Sequence, residues 1–397
     1  MISRPWVKYA LLFCIGIYLR LGALIVPPLI PRLEAVLGIT TGQSALATSL
    51  PLLLLAFGAL FGGWMVNRLG ILNTLILGLL AMAMGSAFRS LPIEFFLFLF
   101  ATVIMGIGIA LMQVGLPSLT RVWLPDNIGR AAAVYTTGLL VGEWIAAGFT
   151  GPLVTHLLQD AWRLSFTFWV LPVPLIVLAL LIYGDRHQLE AAEAAQPKTS
   201  LMPDWRDPML WRVSIVMASS GILYFAGNIF LPPILVETNR VHMLDMTLSA
   251  LNGVQIVFSV LLIFYADRLI GNRAPFYVLN SLALFTIPGL LWAPGYWVVF
   301  VAGVSGALTS AILVLALALP AWLVPPHQVS RLSSGMLFIG YCLVFSVPVV
   351  GGWLNDLTGL RALAFLPTVV VALIAMASVG GIERRTQSEF TAPGVTK

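Results

Sequence analysis

Two charged side chains lie inside long apolar stretches of this sequence. Arg20 stands in the middle of IGIYLRLGALIVPPLI, residues 15–30, and Glu143 stands near the centre of AAAVYTTGLLVGEWIAAGFTG, residues 131–151. A charge at the centre of an apolar span costs about 2.5–3.5 kcal/mol, so it is retained where it meets water, another charge or a ligand. The planar guanidinium of arginine stays protonated and binds carboxylate-like groups through paired hydrogen bonds. Two interpretations are open: Arg20 binds an anionic or strongly polar substrate, or it forms an ion pair with Glu143 that only joins two helices.

Other polar side chains inside apolar stretches extend this candidate site. A polar group surrounded by lipid must find a partner, so each of these residues either lines a cavity or joins helices. The predicted substrate-binding residues are Tyr18, Arg20, Arg89, Gln113, Glu143, Tyr224, Asn228, Asn252, Gln255 and Tyr341. Tyr18 is two residues from Arg20 and points to another side of the helix. Arg89 is one turn from a predicted loop, so it either reaches the membrane interface or attracts anions in an outer vestibule.

Residue patterns typical of catalysis, metal binding or nucleotide binding are missing from the sequence. The four histidines fall in predicted loops or at span ends: His156, His187, His242 and His327. The two cysteines, Cys14 and Cys342, lie in apolar stretches and are interpreted as free thiols. Basic residues are scattered rather than clustered with aromatic ones, which argues against nucleic acid. We therefore predict that the protein is not an enzyme and has no cofactor, no metal and no nucleic-acid partner.

The elements that must position these residues are membrane-spanning helices. The chain of 397 residues is 59% hydrophobic and 9% charged, whereas a soluble domain carries about 25% charged residues, so a soluble enzyme is excluded. Stretches of about 18 or more apolar residues recur along the whole chain. They predict twelve helices near 8–30, 42–66, 71–91, 94–118, 130–154, 162–183, 209–236, 246–266, 274–293, 295–323, 330–354 and 361–381. The predicted fold class is an all-α membrane protein.

One long polar stretch divides the predicted helices six and six. We predict an N-terminal six-helix bundle over 1–183, a cytoplasmic linker over 184–208 and a C-terminal six-helix bundle over 209–397. With a cytoplasmic N-terminus, 15 of the 21 Lys and Arg residues fall on the cytoplasmic side and 4 on the opposite side, leaving Arg20 and Arg89 inside spans. The positive-inside rule therefore places both termini in the cytoplasm. The expected location is a bacterial inner membrane, with the lipid bilayer as a partner and the protein as a monomer.

The two halves carry corresponding motifs. YLRLGALIVPPLI (18–30) matches YFAGNIFLPPILV (224–236), and VNRLG (66–70) matches ADRLIG (266–271). This arrangement resembles the major facilitator superfamily, whose two bundles rock against each other around a central cavity. GGWMVNRLG (62–70) resembles the superfamily's signature after its second helix, although Asn67 replaces the usual acid. The resemblance implies gating or structural roles for the residues Asn67, Arg68, Asp267, Arg268 and Arg121.

Two further stretches resemble the cyanate/nitroimidazole transporter family within that superfamily. They are GIGIALMQVGLPSLTRVWLP (106–125) and LSSGMLFIGYCLVFSVPVVGGWLNDLTG (332–359). The matching positions are Gly108, Ile109, Ala110, Leu116, Pro117, Leu119, Arg121, Pro125, Ser334, Gly335, Met336, Gly340, Tyr341, Pro348, Gly352, Leu354, Asp356, Thr358 and Gly359. The resemblance implies a secondary transporter that works by rocker-switch alternating access.

The expected substrate is a small polar or anionic solute: a cyanate-like anion, a small carboxylate or a nitroheterocycle. An efflux pump of the same fold for drugs or metabolites is an alternative, and a passive channel is a second one from another class. A channel is disfavoured because pores usually need symmetric rings of filter residues. If transport is coupled to protons, Glu143 is the candidate carrier, because it is the one acid in the middle of a predicted span.

Overall fold

The computed structural model describes residues 5–91, 94–184, 202–263 and 272–382, together with Leu189, Tyr265 and Leu269. A backbone in hydrocarbon must satisfy its own polar groups, and a helix does so within one segment. Twelve helical segments of the described residues are long and apolar enough to cross a membrane. They are α1 Pro5–Leu37, α2 Thr41–Leu69, α3 Ile71–Phe88, α4 Phe95–Trp123, α5 Pro125–Leu157, α6 Trp162–Tyr183, α7 Pro208–Glu237, α8 Val241–Leu262, α9 Ala274–Trp292, α10 Trp297–Leu323, α11 Gln328–Thr358 and α12 Arg361–Val379. Each predicted span overlaps one of them, so the predicted fold class is confirmed.

The helices pack in two groups of six whose widest contacts lie along two seams, with smaller contacts of α7 on α1 and α2. In the first group α2 and α3 pack on α4, and α1 packs on α5; in the second, α8 and α9 pack on α10, and α11 and α12 pack on α7. The groups meet where α2 lies against α11 and where α5 lies against α8. The bundle boundaries at 183 and 209 stay predictions, because most of the predicted linker, 185–188 and 190–201, lies outside the described residues.

Glycines bring α1 and α5 into direct backbone contact. A Cβ atom on Gly138 would lie 2.3 Å from the carbonyl oxygen of Phe13, and one on Gly142 would lie 2.2 Å from that of Ile17. Small residues of this kind let the backbones of membrane helices approach closely. Because Gly142 precedes Glu143, the same contact sets the acid beside the stretch of α1 that contains Arg20.

Helix α1 is interrupted at Arg20. Its first segment is helical over Pro5–Tyr18 and the helix resumes only over Leu21–Leu24. Arg20 has φ −131° and ψ −23°, outside the helical region. Pro27 and Pro28 follow in a 3-10 turn, and their missing N–H groups prevent a regular helix from continuing through this point. The interruption therefore lies directly beside the buried cation.

Candidate functional site

Seven of the ten predicted substrate-binding residues form one connected group, which we call the central cluster. It lies where α1, α5, α7, α8 and α11 meet, between the two groups of helices. Its members are Arg20, Glu143, Tyr224, Asn228, Asn252, Gln255 and Tyr341. Each helix contributes a polar side chain to an otherwise apolar environment, so the cluster is held together by contacts among its own members.

Arg20 is the cation of the central cluster. It is 8% exposed, and its Nε lies 3.6 Å from Oε1 of Glu143. Its Nη2 donates a hydrogen bond of 3.3 Å to the hydroxyl of Tyr341, and its Cζ lies 5.7 Å from the centre of the Tyr341 ring. Nε and Nη1 are buried and make no hydrogen bond with any described residue. The guanidinium therefore reaches across from the first bundle to the second with donors left to bind an acceptor.

Glu143 links the cation to the neutral part of the cluster. The side chain is 4% exposed, and its Oε2 accepts a hydrogen bond of 2.8 Å from Nε2 of Gln255 in α8. One residue further along α5, Nε1 of Trp144 donates to the hydroxyl of Ser249 at 2.8 Å. Both contacts cross from the first bundle to the second, so the acid sits at the seam that α5 forms with α8.

The second bundle contributes a chain of neutral side chains that are hydrogen-bonded to one another. The hydroxyl of Tyr224 donates to Oδ1 of Asn252, and Nδ2 of Asn252 donates to Oδ1 of Asn228 at 3.0 Å. Nδ2 of Asn228 donates back to the carbonyl of Tyr224 at 3.0 Å. Nε2 of Gln255 also lies within 3.5 Å of the Tyr224 hydroxyl. Since these groups satisfy one another, this half of the cluster is held in a fixed geometry.

Serines that the sequence analysis did not single out support this chain. The hydroxyl of Ser310 in α10 donates to the carbonyl of Gln255 at 3.3 Å and also bonds the hydroxyl of Ser259. Ser249 is the partner of Trp144. A serine can also bond the carbonyl one turn back in its own helix, so its presence in an apolar stretch gives no signal of a longer-range role.

Two predicted site residues, Tyr18 and Gln113, are not among the members of the cluster. The hydroxyl of Tyr18 donates to the carbonyl of Trp169 at 3.1 Å, which ties α1 to α6 inside the first bundle. Gln113 lies in α4, and its Oε1 is buried without a hydrogen-bond partner among the described residues. Tyr18 takes this position because it projects from a different side of α1 than Arg20 does.

Both interpretations of Arg89 expected an accessible cation, whereas the structure places it in the interior; its substrate-binding role stays a prediction. The residue is 1% exposed, so it neither reaches the membrane interface nor faces an outer vestibule. Its Nη2 donates to the carbonyl of Gly22 at 2.7 Å and to the hydroxyl of Ser86 at 3.3 Å. The guanidinium lies 4.7 Å from the ring centre of Phe166 and 5.7 Å from that of Phe98. These rings, near the starts of α6 and α4, contact each other and lie against the guanidinium.

The residues predicted to gate the inner end occupy exposed positions where they are described. Asn67 and Arg68 are exposed at the end of α2, where the Arg68 guanidinium lies 5.4 Å from the ring centre of Trp64. Arg121 is exposed in the last turn of α4. Asp267 and Arg268 lie outside the described residues. Their gating roles stay predictions.

A second set of contacts joins the bundles at the end that carries the connections 38–40, 238–240 and 359–360. We call it the outer end, following the predicted orientation. The carboxylate of Asp356 in α11 accepts hydrogen bonds from the backbone N–H groups of Thr41 at 3.0 Å and Gly42 at 2.9 Å. These are among the unpaired donors at the start of α2, where the helix dipole also favours a negative charge. Nη1 of Arg361 and Nδ2 of Asn355 both donate to the hydroxyl of Thr41, at 2.8 and 3.2 Å.

Metal chemistry finds no support in this geometry. Within the part of the chain that the structure describes, no group of three or more His, Cys, Asp or Glu side chains is placed to hold a metal ion. Cys14 and Cys342 are both free thiols. The chemistry available in the central cluster is therefore recognition by hydrogen bonds and charge.

Comparison with known proteins gives consistent matches over most of the chain. The sequence profile of the Major Facilitator Superfamily matches residues 12–304. The 2-nitroimidazole transporter of Escherichia coli (strain K12) is 25% identical, covering 87% of this chain and 88% of its own. The cyanate transport protein CynX of the same organism is 26% identical, covering 91% and 94%. Among solved structures, the inward-open xylose transporter XylE from E. coli has a TM-score of 0.74 at 12% identity, covering 97% and 98%.

Proposed function

Because this chain belongs to the Major Facilitator Superfamily, we propose that it is a secondary transporter of a small planar or linear anion, moved by alternating access. Membership makes the protein a multi-pass membrane transporter and not an enzyme. The substrate class, the binding residues and the coupling are the proposal. The resemblance to the cyanate/nitroimidazole transporters that the motifs indicate is confirmed by relatives that carry those names.

The observation that carries the proposal is the state of the Arg20 guanidinium. Arg20 is buried between the bundles, yet Nε and Nη1 donate to no described residue and the acid beside it stays at 3.6 Å. A buried donor without a partner costs about 1–3 kcal/mol, more when it is charged. Nε and Nη1 lie on different edges of the guanidinium, so a carboxylate, nitrite or nitro group would accept from one of them together with an N–H of Nη2.

The position of Arg20 suits a transporter better than a structural ion pair. It stands at the interruption of α1, and interrupted helices commonly form the substrate sites of transporters at mid-membrane depth. A pair that only joined α1 to α5 would need no contact with the second bundle. Here Arg20 touches Tyr341 and Glu143 touches Gln255, so both charges contact the helices that move in a rocking transition.

The two levels at which the bundles touch support alternating access. The contacts of Asp356 with the start of α2 close the outer end, and the central cluster lies below that closure. For the site to open outward, Asp356 must release Thr41 and Gly42, and the angle at which α5 crosses α8 must change. A substrate held by both halves of the cluster would bias that movement through its different contacts in the two states.

Charge balance makes Glu143 the proton-coupling residue in this proposal. The cluster contains one cation and one acid, so an anion bound to Arg20 gives the site a net negative charge while Glu143 remains ionised. In a medium of low dielectric constant an uncompensated charge is costly. Uptake of one proton by Glu143 together with the anion restores neutrality, which would make the protein an anion and proton symporter.

Counterflow in proteoliposomes tests the proposal. Vesicles loaded with unlabelled cyanate, nitrite or 2-nitroimidazole should accumulate the same labelled compound transiently, because a carrier shows trans-stimulation. A channel gives only downhill equilibration, and an efflux pump for large drugs gives no counterflow with these compounds. Absence of counterflow for the whole set contradicts the proposed substrate class. A pH-sensitive dye inside the vesicles then reports whether a proton moves with the anion.

A further inference from the structure

We propose that Arg89 is a positioning residue for substrate binding: it holds the interruption of α1 in the shape that places Arg20. The inference rests on the proposed role of Arg20 and assigns Arg89 no contact with the substrate. Its hydrogen bond to Gly22 is made two residues beyond Arg20, and its other contacts belong to α3, α4 and α6.

The Gly22 carbonyl lies in a turn after which the regular helix does not continue. The segment Leu21–Leu24 is a single turn, and the last carbonyls of a helix lack intrahelical donors. Pro27 and Pro28 follow and cannot donate to the carbonyls of Ala23 and Leu24, so the helical hydrogen-bond pattern is broken here. Nη2 of Arg89 donates to Gly22 at 2.7 Å, the distance of a strong charge-assisted hydrogen bond. The guanidinium thus adds a side-chain donor beside the interruption.

The anchor of Arg89 has several contacts. Its guanidinium lies against the rings of Phe98 and Phe166, which also contact each other, and a cation near aromatic rings is stabilised by them. The hydroxyl of Ser86 accepts from Nη2 and donates to the carbonyl of Phe166 at 2.9 Å. Arg89 therefore ties the interruption of α1 to a packed region formed by three other helices of the first bundle.

Arg20 and Arg89 both bond the short backbone turn that contains Gly22. The carbonyl of Arg20 accepts the N–H groups of Ala23 and Leu24, both at 3.1 Å, which closes the short turn that contains Gly22. If Gly22 loses its donor, the turn can rewind or shift to satisfy its carbonyls in another way. Arg20 would then move relative to Tyr341 and Glu143, and the substrate would lose its aligned donors.

The test compares Arg89→Met, which removes the donor, with Arg89→Lys, which keeps a charged donor. Affinity for cyanate and 2-nitroimidazole is measured by titration calorimetry on purified protein, and melting temperature is measured in parallel. We expect Arg89→Met to weaken binding by about tenfold and Arg89→Lys by less than about threefold. Ser86→Ala, which keeps the guanidinium but removes its hydroxyl partner, should fold in any case and weaken binding by about threefold.

A matched control separates positioning from general stability. Asn280 is also buried and joins two helices, accepting from the hydroxyl of Ser219 at 2.9 Å, but it lies in the second bundle away from Arg20. Asn280→Leu should lower the melting temperature and leave affinity unchanged. A double-mutant cycle with Arg20→Lys adds a second criterion: if Arg89 acts through Arg20, the loss caused by Arg89→Met should shrink in that background.

Hydrogen exchange in the peptide that spans 19–26 tests the inference without any substrate. Exchange there should be faster in Arg89→Met than in wild type, and unchanged in Asn280→Leu. Wild-type affinity in both Arg89→Met and Ser86→Ala overturns the inference, as does an equal affinity loss in Asn280→Leu or a fully additive cycle. If wild-type protein binds neither cyanate nor 2-nitroimidazole, the proposed function is overturned instead. In that case hydrogen exchange still tests Arg89: an unchanged rate in the 19–26 peptide of Arg89→Met overturns the positioning role.

Discussion

The two bundles contribute different chemistry to the central cluster. The first bundle supplies both charges, Arg20 and Glu143, and leaves two nitrogens of the cation without hydrogen bonds. The second bundle supplies neutral groups, and three of them, Tyr224, Asn228 and Asn252, already bond one another. The difference suggests a division of labour, in which the first bundle recognises the anion by charge and the second provides a fixed surface on which the site closes.

The same division explains why the cluster is asymmetric although the halves carry matching motifs. YLRLGALIVPPLI in α1 corresponds to YFAGNIFLPPILV in α7, and the second stretch contains no charged residue to match Arg20. Helix α7 is continuous through this region, whereas α1 is interrupted at Arg20. One cation per site is sufficient for a monovalent anion, and a second buried cation would require a second counter-charge.

The largest expected effect comes from removing Arg20, the cation that the first bundle supplies. Arg20→Ala should weaken binding of cyanate or 2-nitroimidazole by about 100-fold or more, because at least two charge-assisted hydrogen bonds are lost. Arg20→Lys keeps the charge without the planar fork and should bind with intermediate affinity. Arg32→Ala is the control, since Arg32 pairs with Asp160 within the first bundle at 3.0 Å and lies away from the cluster. Wild-type affinity in Arg20→Ala would contradict the division between the bundles.

Removing both charges tests whether Arg20 is a ligand or only half of an ion pair. Each single change, Arg20→Gln or Glu143→Gln, leaves one buried charge without its partner and should lower the melting temperature. The double variant leaves no unpaired charge, so its melting temperature should rise back towards that of wild type. Its affinity should stay at the level of Arg20→Gln if the guanidinium binds the anion. If the double variant recovers affinity together with stability, Arg20 and Glu143 form only a structural ion pair.

The twelve helices and the fold could be predicted because they depend on local properties of the sequence. An apolar stretch long enough to cross a bilayer can satisfy its backbone only as a helix, so length and composition determine each span. The members of the central cluster could be predicted for a related reason. An isolated polar group in lipid needs a partner, and the inter-bundle interface provides one for Arg20, Glu143 and Gln255.

The positions of Arg89 and Tyr18 could not be predicted, because they depend on packing between helices. Arg89 stands near a span end, where an arginine commonly reaches the interface, whereas here it packs against the rings of Phe98 and Phe166 on two other helices. The interruption of α1 is equally hard to foresee, since the proline pair of α7 leaves that helix continuous. The contact of Asp356 with the start of α2 joins residues 314 or more positions apart, and no local pattern indicates it.

A smaller effect is expected from removing the amide of Gln255, the uncharged side chain that bonds Glu143 across the two bundles. Gln255→Met keeps the size of the side chain but removes the donor to Glu143 at 2.8 Å, leaving a buried carboxylate oxygen without that hydrogen bond. We expect affinity or transport rate to fall about tenfold. Asn280→Leu is the control, because it removes a buried amide that is bonded to Ser219 within the second bundle, and it should transport at the wild-type rate. Equal losses in both variants would show that the effect of Gln255→Met comes from lower stability and not from the link between the bundles.

The smallest effect is expected at the outer end, where the contributions of the bundles are reversed. There the second bundle supplies the charge, Asp356, and the first supplies the backbone donors of Thr41 and Gly42. Asp356→Asn removes the negative charge from the start of α2 and turns one accepting oxygen into an amide that donates. A charge at a helix N-terminus contributes about 0.3–1 kcal/mol, so the equilibrium constant that favours the outer-closed state should fall about twofold to fivefold.

Spin labels on the two bundles measure that shift. Val36 in α1 and Val241 in α8 are 53% and 56% exposed near the outer end, so cysteines at both positions can be labelled after Cys14 and Cys342 are replaced by alanine. In Asp356→Asn the distance distribution between the labels should gain a longer component. Asp160→Asn removes an acid from the same end but from a pair inside the first bundle, so it should leave the distribution unchanged. A distribution that is identical in Asp356→Asn and wild type would show that the carboxylate caps α2 without holding the bundles closed, and the outer closure would then rest on the contacts of Arg361 and Asn355 with Thr41.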